Sequence, residues 1–410
     1  MRGNPRKSLL EYFAYLGPSL IVSMAYMDPG NYGTDIQAGA QFNYNLVWAV
    51  WLANIMAMIL QYLSGKLGIA TGKSLPELIR GSLKRRRYVV PYWLGAELAA
   101  AATDLAEYLG TVIALNLLFG IPLLYAALLG AADVVILLAL TSERFRVIEY
   151  FFMLFVSVIS IGFLYQVILI RPSISDMVVH SFAISLNNST AFLVVGIIGA
   201  TVMPHAIFVH SWLTKNKITT GSLEEKKRLR TLHLRENIFA LTIASLVNIA
   251  ILISSAAAFH SQFSSVSSIS EAYQILGPLF GALAAVVFAL TLLSSGLASS
   301  VTGTLAGQAI MDGLLGTRVN KYVRRIVTRV INVFPTSIAI LLGFNPLSLL
   351  VYSQVILSLM IPLPMVPLIS YTSRRSLMGE FVNSKITTLL AVLAASVIII
   401  LNAYLLLTVL

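Results

Sequence analysis

The sequence of 410 residues contains no cysteine, and only 11% of its residues are charged. Without cysteine, the chain cannot form a disulfide, a thiolate metal site or an iron–sulfur cluster. It also lacks the G-x-x-x-x-G-K-[ST] phosphate loop and the H-E-x-x-H pattern of a membrane zinc protease, so we expect neither an enzyme nor a bound cofactor. Hydrophobic residues make up 58% of the chain, which excludes a water-soluble domain and predicts a polytopic membrane protein.

Apolar runs long enough to cross a bilayer, which takes ~20 residues, recur about eleven times along the chain. They predict an all-α protein with eleven membrane spans, at 14–40, 46–69, 90–119, 121–141, 147–170, 189–214, 237–260, 278–313, 322–343, 346–370 and 386–409.

Lysine and arginine are concentrated in alternate connections between these runs, as the positive-inside rule requires. If the N-terminus is cytoplasmic, the even-numbered connections carry most of them, whereas the connection 260–276 has none. The net charge of +11 therefore reflects membrane topology, and we expect no nucleic-acid partner. The pattern predicts a multi-pass protein of the cell membrane, in contact with lipid, with a cytoplasmic N-terminus and an extracellular C-terminus. We expect it to be monomeric.

The first run contains the sequence Asp28-Pro29-Gly30-Asn31. A carboxylate at membrane depth costs at least ~2.5–3.5 kcal/mol on insertion scales. Proline removes a backbone donor and glycine loosens a helix, so the helix should break beside the charge. Because irregular backbone at this depth must be buried by protein or reached by water, an acid and an amide at such a break predict a cation site.

The sixth run is interrupted in the same way, because Met203-Pro204-His205 follows a glycine-containing apolar stretch. The interrupted runs are the first and the sixth, which are five positions apart. Because successive spans alternate in direction and five is odd, equivalent helices in the two halves must cross the membrane in opposite directions. This arrangement predicts inverted-topology repeats with the substrate between two discontinuous helices. No residue-level repeat accompanies it.

The residues at the two breaks together favour a soft divalent cation. Asp28 offers an anionic oxygen, Asn31 a neutral oxygen, and unwound carbonyls near Ala25 and Ala200 offer two more. Met203 offers a thioether sulfur, which Mg²⁺ and Ca²⁺ do not prefer and softer transition ions accept. The set suits Mn²⁺, Fe²⁺, Co²⁺ or Cd²⁺. A methionine in a membrane helix also serves simply to fill a packed core.

A second polar constellation lies on the third run, where Glu97, Asp104 and Glu107 recur at spacings of seven and three on one helical face. Acids within a membrane normally line a polar interior path. His205 could relay a proton from the metal site to Glu107, and Arg329 in the ninth run is a candidate partner for Asp104. The alternative is a set of buried ion pairs that hold helices together.

Several segments resemble the Nramp family of natural resistance-associated macrophage proteins, which are proton-coupled manganese and iron transporters. The segments DPGNYGTDIQAGAQF and GATVMPHAIFVHS resemble its paired signatures, and 103–123, 295–315 and 353–368 are similar to further family segments. The resemblance implies a leucine-transporter-type fold with five-plus-five inverted repeats and an added eleventh helix. The expected units are 1–170 (helix 1 broken at 28–31), 189–371 (helix 6 broken near 200–205) and 384–410.

The resemblance also implies roles for particular residues. It implies metal ligands at Asp28, Asn31, Met203 and the Ala200 carbonyl, with the Ala25 carbonyl and the Gln354 amide in particular conformations. The expected proton path uses Asp28, His205, Glu107, Asp104, Glu97, Arg329 and Lys217. Where the family usually has other residues, this chain has Ala206, Met360 and, in place of arginine, Lys217.

The expected function is proton-coupled import of Mn²⁺ and Fe²⁺, and also of Cd²⁺ and Co²⁺, by alternating access. An amino-acid or amine transporter on the same fold is the alternative, although Asp28 would repel a substrate carboxylate unless the substrate were cationic. A channel is a further alternative, and it would show a flux that does not saturate with metal concentration.

Overall fold

The computed structural model describes residues 17–130, 145–261, 269–316 and 320–408, and within these ranges the chain is helical without strands. In chain order the helices are α1 (Pro18–Ala25), α2 (Pro29–Phe42), α3 (Val47–Thr71), α4 (Leu75–Leu83), α5 (Arg86–Phe119), α6 (Leu123–Gly130), α7 (Phe145–Ile170), α8 (Ile174–Phe182), α9 (Asn188–Val202), α10 (Pro204–Lys215), α11 (Leu223–Phe259), α12 (Ile269–Phe280), α13 (Ala282–Leu314), α14 (Lys321–Leu341), α15 (Pro346–Met360), α16 (Pro362–Thr372), α17 (Arg375–Met378) and α18 (Lys385–Thr408).

Eight segments of the described chain have the length and hydropathy to cross a membrane. All of the predicted runs except the fourth coincide with one helix or with two helices separated by a break. The fourth run, 121–141, begins with α6, and its remainder lies outside the described residues. The ninth run coincides with α14, which is strongly apolar only over Ile326–Leu341. The prediction of a polytopic helical membrane protein is confirmed.

The polar connections segregate to the two ends of the helix bundle. At one end, Lys215, the last residue of α10, forms an ion pair of 2.7 Å with Glu77 of α4. Lys226, at the start of α11, donates to the Ala70 carbonyl at 2.9 Å there. At the other end, the Nδ1 atom of His260 lies 2.9 Å from the Ala40 carbonyl oxygen. The lysine-bearing connections therefore share one end, as their alternation in the sequence predicts.

Two helix pairs are interrupted at prolines, and the breaks follow from the missing N–H group. In a continuous helix, the N–H of Pro29 would bond to the Ala25 carbonyl, and that of Pro204 to the Ala200 carbonyl. Proline cannot donate, so each carbonyl four residues earlier has no helical partner. Here α1 ends at Ala25 and α9 at Val202, and α2 and α10 each begin with the proline. Both predicted breaks are present.

A third proline break, absent from the sequence prediction, divides the tenth span at Pro362 between α15 and α16. The carbonyl freed here belongs to Ser358. It accepts a hydrogen bond from the Asn402 side chain of α18 at 2.8 Å, and the Ser358 hydroxyl donates to the Asn402 oxygen at 2.8 Å. The eleventh span thus supplies the polar groups that the break leaves unpaired.

The two interrupted spans are held close to their neighbours by small residues. A Cβ atom added at Gly199 of α9 would overlap the Gln354 carbonyl oxygen of α15, so the two backbones approach as only glycine allows. Buried aliphatic and aromatic side chains of many helices form one continuous core around the bundle centre. The polar groups of the two breaks are therefore enclosed at the centre of an apolar bundle.

We expect Asn402→Ala to lower stability by about 1–2 kcal/mol, because it leaves the Ser358 carbonyl buried with a poorer partner. The measurement is thermal unfolding of the protein in detergent. Tyr404→Phe is the matched control, since the Tyr404 hydroxyl contacts Asn188 at 2.5 Å at the exposed end of α18. Equal losses in the two variants would contradict the role given to Asn402.

Candidate functional site

Asp28 caps the helix that follows the first break. Its backbone is extended (φ −78°, ψ 166°), and its Oδ1 atom accepts from the Asn31 backbone N–H at 2.9 Å. The Asn31 side-chain amide donates to the same oxygen at 2.7 Å. The second carboxylate oxygen, Oδ2, is buried and accepts no hydrogen bond from the described residues. One oxygen therefore fixes the side chain, and the other can bind a cation.

Asn31 joins the two broken helices. Its amide also donates to the Ala200 carbonyl at 3.0 Å, so the carbonyl that Pro204 frees in α9 points at the start of α2. The Asn31 oxygen accepts from Thr201 at 3.2 Å and from Asn248 of α11 at 3.3 Å. Since this oxygen already accepts two hydrogen bonds, it must release at least one of them to bind a cation.

Met203 occupies the junction between α9 and α10. Its backbone has φ +37° and ψ 106°, a conformation that non-glycine residues adopt at a cost of order 1–3 kcal/mol. The side chain is wholly buried. The structure thus places the only thioether at the second break in a strained backbone, three residues after the freed Ala200 carbonyl.

Gln354 of α15 brings a further oxygen to the first break. A Cβ atom added at Gly30 would overlap the Gln354 amide and lie 2.9 Å from the Asp28 Oδ2 atom, so these two side chains border the same glycine. The Gln354 Oε1 atom, like Asp28 Oδ2, is buried without a hydrogen-bond donor among the described residues. An unpartnered Asp28 oxygen and the Gln354 amide group, which belong to different helices, therefore border the same glycine.

The other unwound carbonyls of the first break are already engaged. The Tyr26 carbonyl accepts from Asn248 at 3.0 Å, and the Met27 carbonyl accepts from Ser295 of α13 at 2.5 Å. Asn248, Ser295 and Thr201 were not singled out from the sequence. A lone amide within an apolar run, as at Asn248, is the signal that could have identified one of them.

The two breaks carry a single anionic side chain. Within the described ranges, no group of three or more His, Asp or Glu side chains is placed to bind one. Asp28 is the only carboxylate at the two breaks, and the remaining candidate ligands are neutral. Such a set suits an ion that must bind and then leave.

His205, one residue after Pro204, faces α5. Its Nδ1 atom lies 2.9 Å from the Thr103 hydroxyl oxygen, and that hydroxyl donates to the Ala99 carbonyl at 3.1 Å. The Nδ1 atom is then the donor in this contact, which leaves Nε2 as the proton acceptor of a neutral ring. Nε2 is buried and has no hydrogen-bond partner in the described part of the chain.

Asp104 and Glu107 converge on one point of α13. A Cβ atom added at Gly303 would lie 2.8 Å from Glu107 Oε2 and 3.0 Å from Asp104 Oδ1. Both side chains are buried on α5 together with Thr103. His205 therefore contacts the same segment of α5 that carries the two acids.

The remaining candidates of the proton path are placed differently. Glu97 forms an ion pair of 2.6 Å with Arg324, a partner that the sequence did not indicate. The guanidinium of Arg329 lies over the Tyr108 ring at 4.8 Å, one turn beyond Asp104 on α5, and its pairing with Asp104 stays a prediction. Lys217 follows α10 and lines a small cavity with Thr214 of α10 and with His233 and Glu236 of α11.

Comparison with known proteins gives one consistent result. The family profile described as natural resistance-associated macrophage protein-like (Nramp) matches residues 19–408. A protein of Deinococcus radiodurans named divalent metal cation transporter MntH is 44% identical over 393 residues, which cover 96% of this chain and 89% of that protein. A protein of the same name from Caldanaerobacter subterraneus is 41% identical over 399 residues, covering 97% and 94% of the two chains.

Solved structures agree with this match. The Eremococcus coleocola manganese transporter, crystallised with an aromatic bis-isothiourea compound, has a TM-score of 0.86 and 32% identity, over 96% of this chain and 86% of that one. The nucleobase-cation-symport-1 transporter Mhp1 has a TM-score of 0.62 at 14% identity, over 95% and 92% of the chains. At that identity it shows the fold alone, which is of the leucine-transporter type.

We expect Asp28→Ala to abolish Mn²⁺ uptake and tight Mn²⁺ binding, because the variant loses the only carboxylate at the two breaks. Calorimetric titration of the purified protein and uptake into proteoliposomes measure the two effects. Asp176→Ala, which removes an exposed carboxylate of α8, is the control and should change neither. Uptake by Asp28→Ala at a near wild-type rate would refute the site.

Met203→Ala should change selectivity more than folding, since it removes a soft ligand and leaves the oxygens. We expect Ca²⁺ to compete about tenfold better against Mn²⁺ or Cd²⁺, which corresponds to ~1.4 kcal/mol. Met365→Ala removes an equally buried methionine of α16 and should leave the competition unchanged. If Ca²⁺ competes no better in Met203→Ala than in the parent protein, Met203 serves packing only.

Proposed function

The chain belongs to the Nramp family, and on that premise we propose that it imports divalent transition-metal ions, Mn²⁺ and Fe²⁺ and also Cd²⁺ and Co²⁺, together with protons. The named relatives are divalent metal cation transporters, and the family is one of membrane transporters rather than enzymes. The observation that carries the proposal is the unpartnered Asp28 Oδ2 atom at a break between two discontinuous helices.

The donor set explains the choice of metal. Asp28 supplies charge, and the Ala200 carbonyl and the Asn31 and Gln354 amides supply neutral oxygens, with the Ala25 carbonyl also free of a helical donor. Met203 adds the sulfur that favours a transition ion over Mg²⁺ or Ca²⁺. An amino-acid substrate fits less well, because the carboxylate and carbonyls would repel its α-carboxylate and Asp28 already caps the N-terminus of α2.

Asp28 releases its proton when the metal ion binds beside it. A divalent ion beside Asp28 favours the ionised carboxylate and so displaces a proton from it. His205 has an acceptor nitrogen, and its ring is joined through Thr103 to the helix that carries Glu107, Asp104 and Glu97. From Glu107 through Asp104 to Glu97, the acids approach the start of α5 at Arg86. This end of the bundle carries the lysine-rich connections. We propose that protons follow this course, and Lys217 lies at the same end.

Transport requires movement, because the ligand side chains are inaccessible to solvent: Asp28, Asn31, Met203 and Gln354 are each 0% exposed. We propose that the repeats 1–170 and 189–371 rock against each other, and that 384–410 forms the added eleventh helix. The basic connections face the cytoplasm of a cell-membrane protein with its N-terminus inside and C-terminus outside. An inward-negative potential then favours uptake by ~2.3 kcal/mol per charge per 100 mV.

Glu107→Gln and His205→Ala should reduce proton movement while Mn²⁺ binding survives, since neither residue is among the proposed ligands. The test combines calorimetric Mn²⁺ affinity with a pH-sensitive dye inside liposomes during uptake. His260→Ala, at the opposite end of the bundle, is the control for loss of a histidine. Proton flux equal to that of the parent protein in both variants would remove the relay.

Wild-type uptake should depend on external pH between about 5 and 8, because the external proton concentration sets the supply of the co-transported proton. Initial rates of Mn²⁺ uptake at fixed membrane potential give the profile. A flat profile would show that metal movement does not require a titrating group.

A further inference from the structure

Asp35 is a carboxylate of α2 that has no part in the site described above. It is 0% exposed, and neither of its oxygens accepts a hydrogen bond from any residue in the described ranges. Burying an ionised carboxylate without a partner is expensive, so such groups pair, bind a metal or take up a proton. An ionised Asp35 therefore needs a partner, which a cation can supply.

Its position on α2 is defined by helical register. Asp35 follows Asn31 by four residues and Asp28 by seven, so the three side chains lie along one face of the helix. Seven residues correspond to a rise of ~10.5 Å. The stripe runs from the metal site toward the end of α2 at Phe42, which is the end opposite the lysine-rich connections. In the proposed topology this is the extracellular direction.

The residues on either side of Asp35 show which groove it faces. A Cβ atom added at Gly196 of α9 would lie 3.3 Å from the Thr34 side chain, and the Ile36 carbonyl accepts from Ser255 of α11 at 2.8 Å. Asp35 therefore lies between the contacts of α2 with α9 and with α11. Asn31 meets the same two helices one turn closer to the metal site, through Ala200 and Asn248.

We propose that Asp35 is an entry position for the divalent cation, bound there before the ion moves two turns inward to Asp28. This proposal deepens the proposed function and rests on it. A passage lined only by apolar groups would oppose entry of the ion. A second carboxylate on the same helix face offers the ion a charged partner at an intermediate depth. Because Asp35 has no hydrogen bonds to break, the ion can bind and leave it readily.

Asp35→Asn keeps the size of the side chain and removes the charge. We expect the KM for external Mn²⁺ to rise about tenfold with kcat within a factor of two, and calorimetric affinity at the Asp28 site to change less than threefold. The melting temperature should not fall, because the substitution removes a buried unpaired charge. Asp176→Asn, which removes an exposed carboxylate of α8 at the same end, is the control and should leave the KM unchanged.

Direct binding gives the second measurement. In Asp28→Asn protein, Mn²⁺ electron paramagnetic resonance should still detect one weak bound ion, and Asp28→Asn combined with Asp35→Asn should detect none. An unchanged KM in Asp35→Asn, or equal weak binding in the single and double variants, overturns the entry position. A fall in melting temperature with a fall in kcat would assign Asp35 to structure instead. Absence of Mn²⁺ binding in the parent protein would instead refute the proposed function.

Discussion

The rest of the structure depends on two N–H groups that prolines lack. Pro29 and Pro204 each stand four residues after an alanine, so the carbonyls of Ala25 and Ala200 lose the donors that a continuous helix would give them. At membrane depth a carbonyl without a donor is costly, and protein groups must satisfy it or a ligand must. Asn31 satisfies one of them at 3.0 Å. The same residue holds Asp28, and in this way the two breaks become one polar site inside an apolar bundle.

A third proline shows the difference between a structural break and a functional one. Pro362 frees the Ser358 carbonyl, but the Asn402 side chain of the eleventh span and the Ile361 N–H both donate to it. No comparable side chain pairs with Asp28 Oδ2 or Gln354 Oε1 within the described residues. We propose that the cation binds where a break coincides with polar groups that lack a partner, rather than at every break.

The sequence predicted a helical membrane protein and both central breaks because each depends on local signals, which are long apolar runs and a proline beside polar or sulfur-bearing side chains. The leucine-transporter-type fold was implied by the family resemblance. It did not predict what depends on tertiary contacts. Glu97 pairs with Arg324, the Asn31 oxygen with Asn248 and the Ser358 carbonyl with Asn402, and each contact brings together residues far apart in the chain. The break at Pro362 was not predicted, although its signal, a proline within an apolar run, is local. Asp35 was not predicted as a functional residue, although it lies in the same motif as Asp28 and follows Asn31 by four residues, about one helical turn. No sequence pattern shows whether a buried acid has a partner.

Anomalous X-ray diffraction from crystals soaked with Mn²⁺ tests the central claim most directly, because it locates the metal independently of transport. The account predicts a peak between α1–α2 and α9–α10, within coordination distance of Asp28 Oδ2 and the Ala200 carbonyl oxygen. A peak beside Glu107 and Asp104, with none between the two broken helices, would contradict it.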